Sequence, residues 1–139
     1  MRAFDSDVLV EILSGNPAFV QRAAAIPLIE QAVPVVVVEE ILRGRLNAIR
    51  QAEAGKGRLT LSRAYELFAR SLSELRRLPV LPYSDRAGET FRQWRNQGIR
   101  IATHDLRIAA ICVDQGNTLI SRNRRDFDQV PGLDVEYWD

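Results

Sequence analysis

Three acidic residues far apart in the chain, Asp5, Glu40 and Asp105, are the ones whose chemistry most needs explaining. Each follows an apolar run closely, and each stands near the start of a helical stretch. Carboxylates packed together without a cation repel one another and raise each other's pKa. A hard divalent cation relieves that repulsion, and Mg²⁺ is usually held by one or two carboxylates with several waters. Such an ion lowers the pKa of a bound water, orients a phosphate and stabilises a leaving oxyanion. Hydrolysis by that route needs no histidine base. Taken singly, each acid is better explained as a charge that favours a helix amino end, so any metal reading rests on the combination. Asp7, Asn123 and Asp126 are further polar candidates near the same positions.

The elements that must bring these residues together alternate short apolar runs with amphipathic stretches. That is the pattern of a parallel sheet with helices on its faces. A first strand spans Arg2 to Phe4, and helical signals follow at Val8 to Leu13 and Pro17 to Ala25. Val33 to Val38 is dense in β-branched residues and reads as a buried strand, with a helix from Glu39 to about Ala54 and a break at Gly55-Lys56-Gly57. Thr60 or Ser62 caps the next helix, whose apolar face carries Leu67, Leu72, Leu75 and Leu78 and which Pro79 stops. The two middle helices are expected to form a hairpin. A strand near Val80-Leu81, a helix from about Ser84 to Gln97, and a helix capped by Thr103 with Leu106, Ala109, Ala110 and Val113 as its buried stripe come next. Thr118 to Ile120 is a strand, Ser121 to Asp126 a polar segment, and Leu133 to Tyr137 a last, edge strand. In this layout Asp5 follows strand one, Glu40 sits in the first turn after strand two, Asp105 opens a helix, and Asn123 lies just beyond the Thr118–Ile120 strand. Strand carboxyl ends and helix amino ends share one rim of a parallel sheet, so these positions can meet.

Composition narrows the function classes. At 139 residues, 46% hydrophobic and 27% charged, the chain is of a size for one domain over residues 1–139. A charge at Asp5 interrupts any apolar leader, and no window approaches the ~20 apolar residues of a membrane span, so the expected location is the cytoplasm. Cys112, the one cysteine, lies in an apolar run and reads as a small core residue. A net charge of +1 gives no global pull toward nucleic acid. Attraction must be local, and every basic residue but Lys56 is arginine, grouped at Arg43, Arg45 and Arg50 and at Arg122, Arg124 and Arg125. Arginine's planar fork suits phosphate. His104 is the one histidine, which leaves no triad, and it reads as a solvated helix-start residue. Gly55-Lys56-Gly57 lacks the spacing of a phosphate loop. Trp94 and Trp138 read as packing residues rather than base-stacking platforms.

Four motifs occur in order: Phe4-Asp5-Ser6-Asp7 after the first strand, Glu40-Ile41-Leu42-Arg43-Gly44 after the valine run, Asp105-Leu106-Arg107-Ile108-Ala109-Ala110, and Leu119 to Phe127 near the end. Together they resemble the PIN-domain ribonucleases, and in length and spacing the VapC-type toxins of bacterial toxin–antitoxin pairs. The resemblance spans nearly the whole chain and is weakest from about Gln51 to Ile99. It implies a three-layer α/β/α sandwich around a mainly parallel sheet, dependence on Mg²⁺ or Mn²⁺, and endonucleolytic cutting of RNA, with transfer and ribosomal RNA both open. By position it implies Asp5 and Asp105 as the principal metal ligands and Glu40, rather than its neighbour Glu39, as the third acid. A fourth acid is common in the family where this chain has Asn123, and Asp126 is the nearby candidate to replace it. The resemblance also implies a cognate antitoxin and a homodimer. Phe4-Asp5-Ser6-Asp7 resembles as well the opening of haloacid-dehalogenase-type phosphatases, in which Asp5 would be a nucleophile, but those enzymes need a downstream lysine and an acidic pair. A third alternative is a PIN-like binding module whose acids are vestigial.

Overall fold

The computed structural model describes residues 1–139. Five short strands, β1 (Arg2–Phe4), β2 (Gln31–Pro34), β3 (Val80–Leu81), β4 (Thr118–Ser121) and β5 (Val135–Tyr137), form one sheet in the order β3-β2-β1-β4-β5. Every pairing is parallel, with Ala3 opposite Ala32 and Phe4 opposite Ile120 at the centre. Between the strands run α1 (Ser6–Leu13), α2 (Pro17–Ala24), α3 (Val35–Glu53), α4 (Leu61–Leu75), α5 (Asp85–Asn96) and α6 (Thr103–Gln115), and the short α7 (Arg124–Phe127) follows β4. The steps from β1 to β2 and from β2 to β3 go one way across the sheet, and the step from β3 to β4 goes back. Right-handed crossovers therefore place α1–α4 and α5–α6 on opposite faces. This is the expected α/β sandwich.

The core forms where the two faces of the sheet meet the helices. Ala3, Phe4, Ala32, Val33, Leu119 and Ile120 from the strands are sealed by Val8 and Leu9 of α1, Val37 of α3, and Leu106, Ile108 and Ile111 of α6. Central strands of a parallel sheet are apolar on both sides because helices cover both. Cys112 is fully buried there, as expected, and burial pushes its thiol up to about 12. Trp138 is also core: its ring meets Phe4 edge-on with centroids 6.0 Å apart, and the Arg22 guanidinium lies 4.6 Å from its centre. Trp94 is buried as well, so neither tryptophan offers a face for stacking. No helix is long and apolar enough to cross a membrane.

Several boundaries differ from expectation, β5 for one starting at Val135 rather than Leu133, and two of them bear on the site. The valine run is not one strand. Pairing stops at Pro34, opposite Leu81, because β3 is only two residues long and offers no further partner. Val35 to Val38 then wind into α3, and burial of Val36, Val37 and Ile41 has the helical spacing rather than alternation. Tertiary context overrides β propensity here, and it moves Glu40 from the first helical turn to the second. Thr103 is likewise not a cap: Ala102 occupies that position without a side-chain hydrogen bond, and the Thr103 hydroxyl instead accepts from Arg95 Nη2 at 3.3 Å. Of the two expected caps Thr60 and Ser62, Thr60 caps α4, and Ser84, expected as the approximate start of a helix, instead caps α5. The expected hairpin of α3 and α4 is present, tied by a 2.9 Å hydrogen bond from Arg45 Nε to the buried Ser71 hydroxyl. Helix α1 begins at Ser6, two residues earlier than its apolar pattern, because Asp5 caps it. The polar segment after β4 contains the unanticipated α7, capped by Asn123.

Candidate active site

The order of the sheet reverses between β1 and β4, and ligands of open α/β folds bind outside the strand carboxyl ends at such a switch point. Asp5 leaves β1 there. Its backbone N–H donates to the Ile120 carbonyl at 2.8 Å, which continues the β1–β4 ladder by one bond and holds the side chain in place. One carboxylate oxygen accepts from the Ser6 N–H at 2.8 Å and the other from the Ser121 hydroxyl at 2.7 Å. Both donors favour the ionised form. Burial opposes them and dominates: with only 4% of Asp5 exposed, its carboxyl is pushed up to about 7, the charge of Asp7 adding to the effect and that of Asp105 contributing less.

Asp105, in the first turn of α6, is half-buried and pushed up to about 6, chiefly by burial and then by Glu40, Asp126 and Asp7 in that order. His104 acts against this shift. Asp7 is raised as well, by burial, although the Arg122 amide donates to it at 3.1 Å. Glu40 projects from the second turn of α3. Its Oε2 lies 3.6 Å from His104 Nδ1, while its Oε1 is buried without any hydrogen-bond partner. A buried carboxylate oxygen left unpaired carries a desolvation penalty of roughly 1–3 kcal/mol or more, which marks a place where a further group belongs.

The fold thus brings Glu40, Asp126 and Asp7 within electrostatic reach of Asp105, and Asp7 and Asp105 within reach of Asp5. They do not close into a cage: no three His, Cys, Asp or Glu side chains approach closely enough to enclose one ion as they stand. A cage is not required, since Mg²⁺ keeps much of its water shell and takes few direct carboxylates. The donor set is all hard oxygen, its charges repel, and one of its buried oxygens lacks a partner. In donor chemistry, though not in a closed geometry, Asp5, Glu40 and Asp105 suit a divalent cation.

Asn123 is engaged elsewhere. Its N–H donates to the Ser121 hydroxyl at 3.0 Å, its amide donates to Asp126 Oδ2 at 3.0 Å, and its carbonyl oxygen accepts weakly from the Asp126 N–H at 3.4 Å. It caps α7 and holds Asp126. The chain Asn123–Ser121–Asp5 shows that the fourth corner supports the buried acid, and Ser121 is a site residue that sequence reasoning missed. Its signal was positional, as the last residue of the strand beside β1.

His104 does stand at the start of α6, but it is largely covered rather than solvated. It lies between two acids of α3, 3.6 Å from Glu40 and 3.7 Å from Glu39. Of the grouped arginines, Arg43 pairs with Glu39, Arg122 lies near Glu11 at 3.5 Å, and Arg124 stacks on Tyr137 at 4.3 Å. Lys56 lines a separate small cavity with Gln51, Gly57 and Arg58. The lysine that a phosphatase mechanism would require is thus not among the acids.

Comparison with known proteins agrees with this geometry. The PIN-domain family model matches residues 3–133. Ribonuclease VapC2 of Rickettsia felis is 30% identical over 69 residues, a stretch covering 47% of this chain and 52% of that relative. The match spans about half of the relative's length. Among solved structures, VapBC2 from Rickettsia felis bound to a promoter DNA fragment aligns over 99% of this chain and 98% of its own at 17% identity, with a TM-score of 0.78. DNA-bound VapBC from Salmonella typhimurium aligns over 99% and 98% at 20% identity with a TM-score of 0.76, and FitAcB from Neisseria gonorrhoeae over 97% and 96% at 20% with 0.79. At those identities the likeness establishes the fold. With the family model covering all but a few residues at each end, and the acids gathered at the carboxyl rim of a parallel sheet, this chain belongs to the PIN-domain family.

Proposed function

We propose that residues 1–139 form one nuclease domain, an endoribonuclease dependent on Mg²⁺ or Mn²⁺ and the toxin of a VapC-type toxin–antitoxin pair. The observation that carries the reading is the accumulation of buried, mutually repelling carboxylates at the β1/β4 switch point, with Glu40 Oε1 unpartnered among them. A structural cluster of that kind would weaken the fold without return. A site that acquires charge compensation on loading explains it.

Asp5 and Asp105 would be the principal ligands and Glu40 the third. The cation, when bound, supplies a water acidic enough to attack a phosphodiester and charge to offset the leaving oxyanion. The protein's part is to keep the ligands ionised and placed. Ser121 and the Ser6 N–H hold both oxygens of Asp5. Asp7 fixes the Arg122 amide and with it the turn leading to α7. Asn123 fixes Asp126, whose charge reaches Asp105. Catalysis would then rest on Asp5, Glu40 and Asp105, with Asn123 and Asp126 completing the corner.

Relatives named as a ribonuclease and as toxin–antitoxin complexes support an RNA substrate and a cognate antitoxin; the homodimer, transfer or ribosomal RNA as the target, and action in the cytoplasm are carried by the motif resemblance alone. The test is cleavage of RNA by purified protein freed of any partner. Cutting should require Mg²⁺ or Mn²⁺, stop with a chelator, and be lost in Asp5→Asn and in Asp105→Asn while both variants stay folded. Undiminished cutting by both would overturn the mechanism.

A further inference from the structure

Gly44 stands at the middle of the nineteen-residue helix α3, where glycine is destabilising relative to alanine through backbone entropy. None of the usual structural reasons applies to it. It is not among the glycines with positive φ, and a Cβ built on it meets no atom within 4 Å. The fold therefore does not require a bare backbone at this point of α3.

The surroundings supply another reason. Two cavities meet at Gly44, and both include Glu40. One, of about 830 Å³, runs along α3 past Arg43, Asn47 and Arg50, and the other, of about 360 Å³, reaches Ser6 beside Asp5. Together they make a furrow that crosses α3 next to the acids, with Gly44 as its floor. At about 1.5 Å per residue, Gly44 lies roughly 6 Å and Arg50 roughly 15 Å along the helix from Glu40. Arg43 is held by Glu39, whereas Arg50 is exposed and has no acidic partner. Leu42 and Leu46 line the larger cavity beside Arg43, Asn47 and Arg50, and its charge turns positive with distance from the acids, which suits a phosphate backbone whose sugars and bases rest on the leucines.

We infer that the RNA strand lies directly on the α3 backbone at Gly44 on its way to the acids, with Arg43, Asn47 and Arg50 contacting its phosphates and sugars. The inference rests on the nuclease reading above and adds a position that sets how closely substrate approaches. A side chain at 44 would lift the strand from the helix.

The experiment compares wild type, Gly44→Ala, Gly44→Met and Arg50→Ala in the full chain, using a fluorescein-labelled single-stranded oligoribonucleotide. Binding is read by anisotropy in EDTA, cleavage in Mg²⁺, and folding by thermal melting. Gly44→Ala should melt about 2–4 °C higher, since nothing in the fold uses the glycine. Gly44→Met should keep at least the wild-type melting temperature yet bind RNA about tenfold more weakly, a loss of about 1.4 kcal/mol, with KM for cleavage rising in parallel. Arg50→Ala should reduce the salt slope of binding by about one. A Gly44→Met protein with unchanged Kd and KM overturns the inference and leaves the nuclease reading intact. A wild type that neither binds nor cuts RNA overturns both. Unchanged RNA affinity with loss of a co-purifying protein partner would assign the furrow to that protein and overturn the inference as well.

Discussion

Replacing Asp5 with asparagine should make the metal-free protein more stable at neutral and alkaline pH, although it removes a residue at the centre of the proposed site. Asp5 has its carboxyl pushed from 3.8 up to about 7, chiefly by burial. Between those two values the folded state binds more protons than the unfolded state, so stability falls as pH rises through this window. Below about 4 both states carry the proton and nothing is lost. Above about 7 both are ionised and the full penalty applies, about 3 units at 1.36 kcal/mol each, or roughly 4 kcal/mol. Asparagine removes that penalty. It keeps an acceptor for the Ser6 N–H but presents an amide to the Ser121 hydroxyl, and rearranging that bond costs about 1 kcal/mol. The net gain at pH 8 is about 3 kcal/mol; it reverses sign near pH 4, below which the ~1 kcal/mol cost of the rearranged bond alone remains. Urea unfolding of chelator-treated wild type and Asp5→Asn, read by circular dichroism across this range, measures it. The same series with Mg²⁺ at about 100 times its Kd should stabilise wild type by about 2.7 kcal/mol and the variant by far less. A stability difference that does not change with pH, or a variant less stable than wild type at pH 8, would refute the burial argument.

Ser121→Ala takes away the hydroxyl that donates to Asp5 and accepts from Asn123, so the Asp5 carboxyl should rise further and the acidic limb of the cleavage profile should move to higher pH, seen in kcat/KM against pH. Asn123→Asp would place a second carboxylate against Asp126, which at present receives the asparagine amide; the metal-free melting temperature should drop at neutral pH and the stabilisation by Mg²⁺ should grow, both read by melting with and without the ion. Trp138→Ala should destabilise by about 3–5 kcal/mol because its ring is packed against Phe4 and Phe19; an unchanged unfolding midpoint with weakened RNA binding would instead make Trp138 a stacking residue.

The parallel sheet was legible because its strands announce themselves as short apolar runs at the right spacing, and the cap at Thr60 because a hydroxyl before an amphipathic run has a local reason to be there. What failed was the valine run. Four valines in a row carry β propensity, yet a strand continues only while a neighbour pairs with it, and the last neighbour of β2, β3, ends at Leu81, forty-odd residues away. No local pattern at Val35 to Val38 contains that information. Thr103 failed for a similar reason, since its hydroxyl answers to Arg95 of the preceding helix.

The site divides along the same line. The placement of Asp5, Glu40 and Asp105 follows from one rule, that strand carboxyl ends and helix amino ends share a rim, so their convergence could be read without knowing a single contact. The partners that decide how each acid behaves come from across the sheet. Ser121 reaches Asp5 from a strand 116 positions away, and His104 reaches Glu40 from a different helix. Ser121 lies within the fourth motif, but nothing local there points to Asp5 as its partner, and the imidazole stands in no motif at all. Asn123 shows what this means for function. As a sequence feature it is an acid lost from the family pattern, whereas in the structure its N–H and amide hold Ser121 and Asp126, the neighbours of the two strongest ligand candidates. The missing charge is thus exchanged for a hydrogen-bond bridge between the β4 turn and the acids, and Asp126 supplies the negative charge that Asp105 feels from that side.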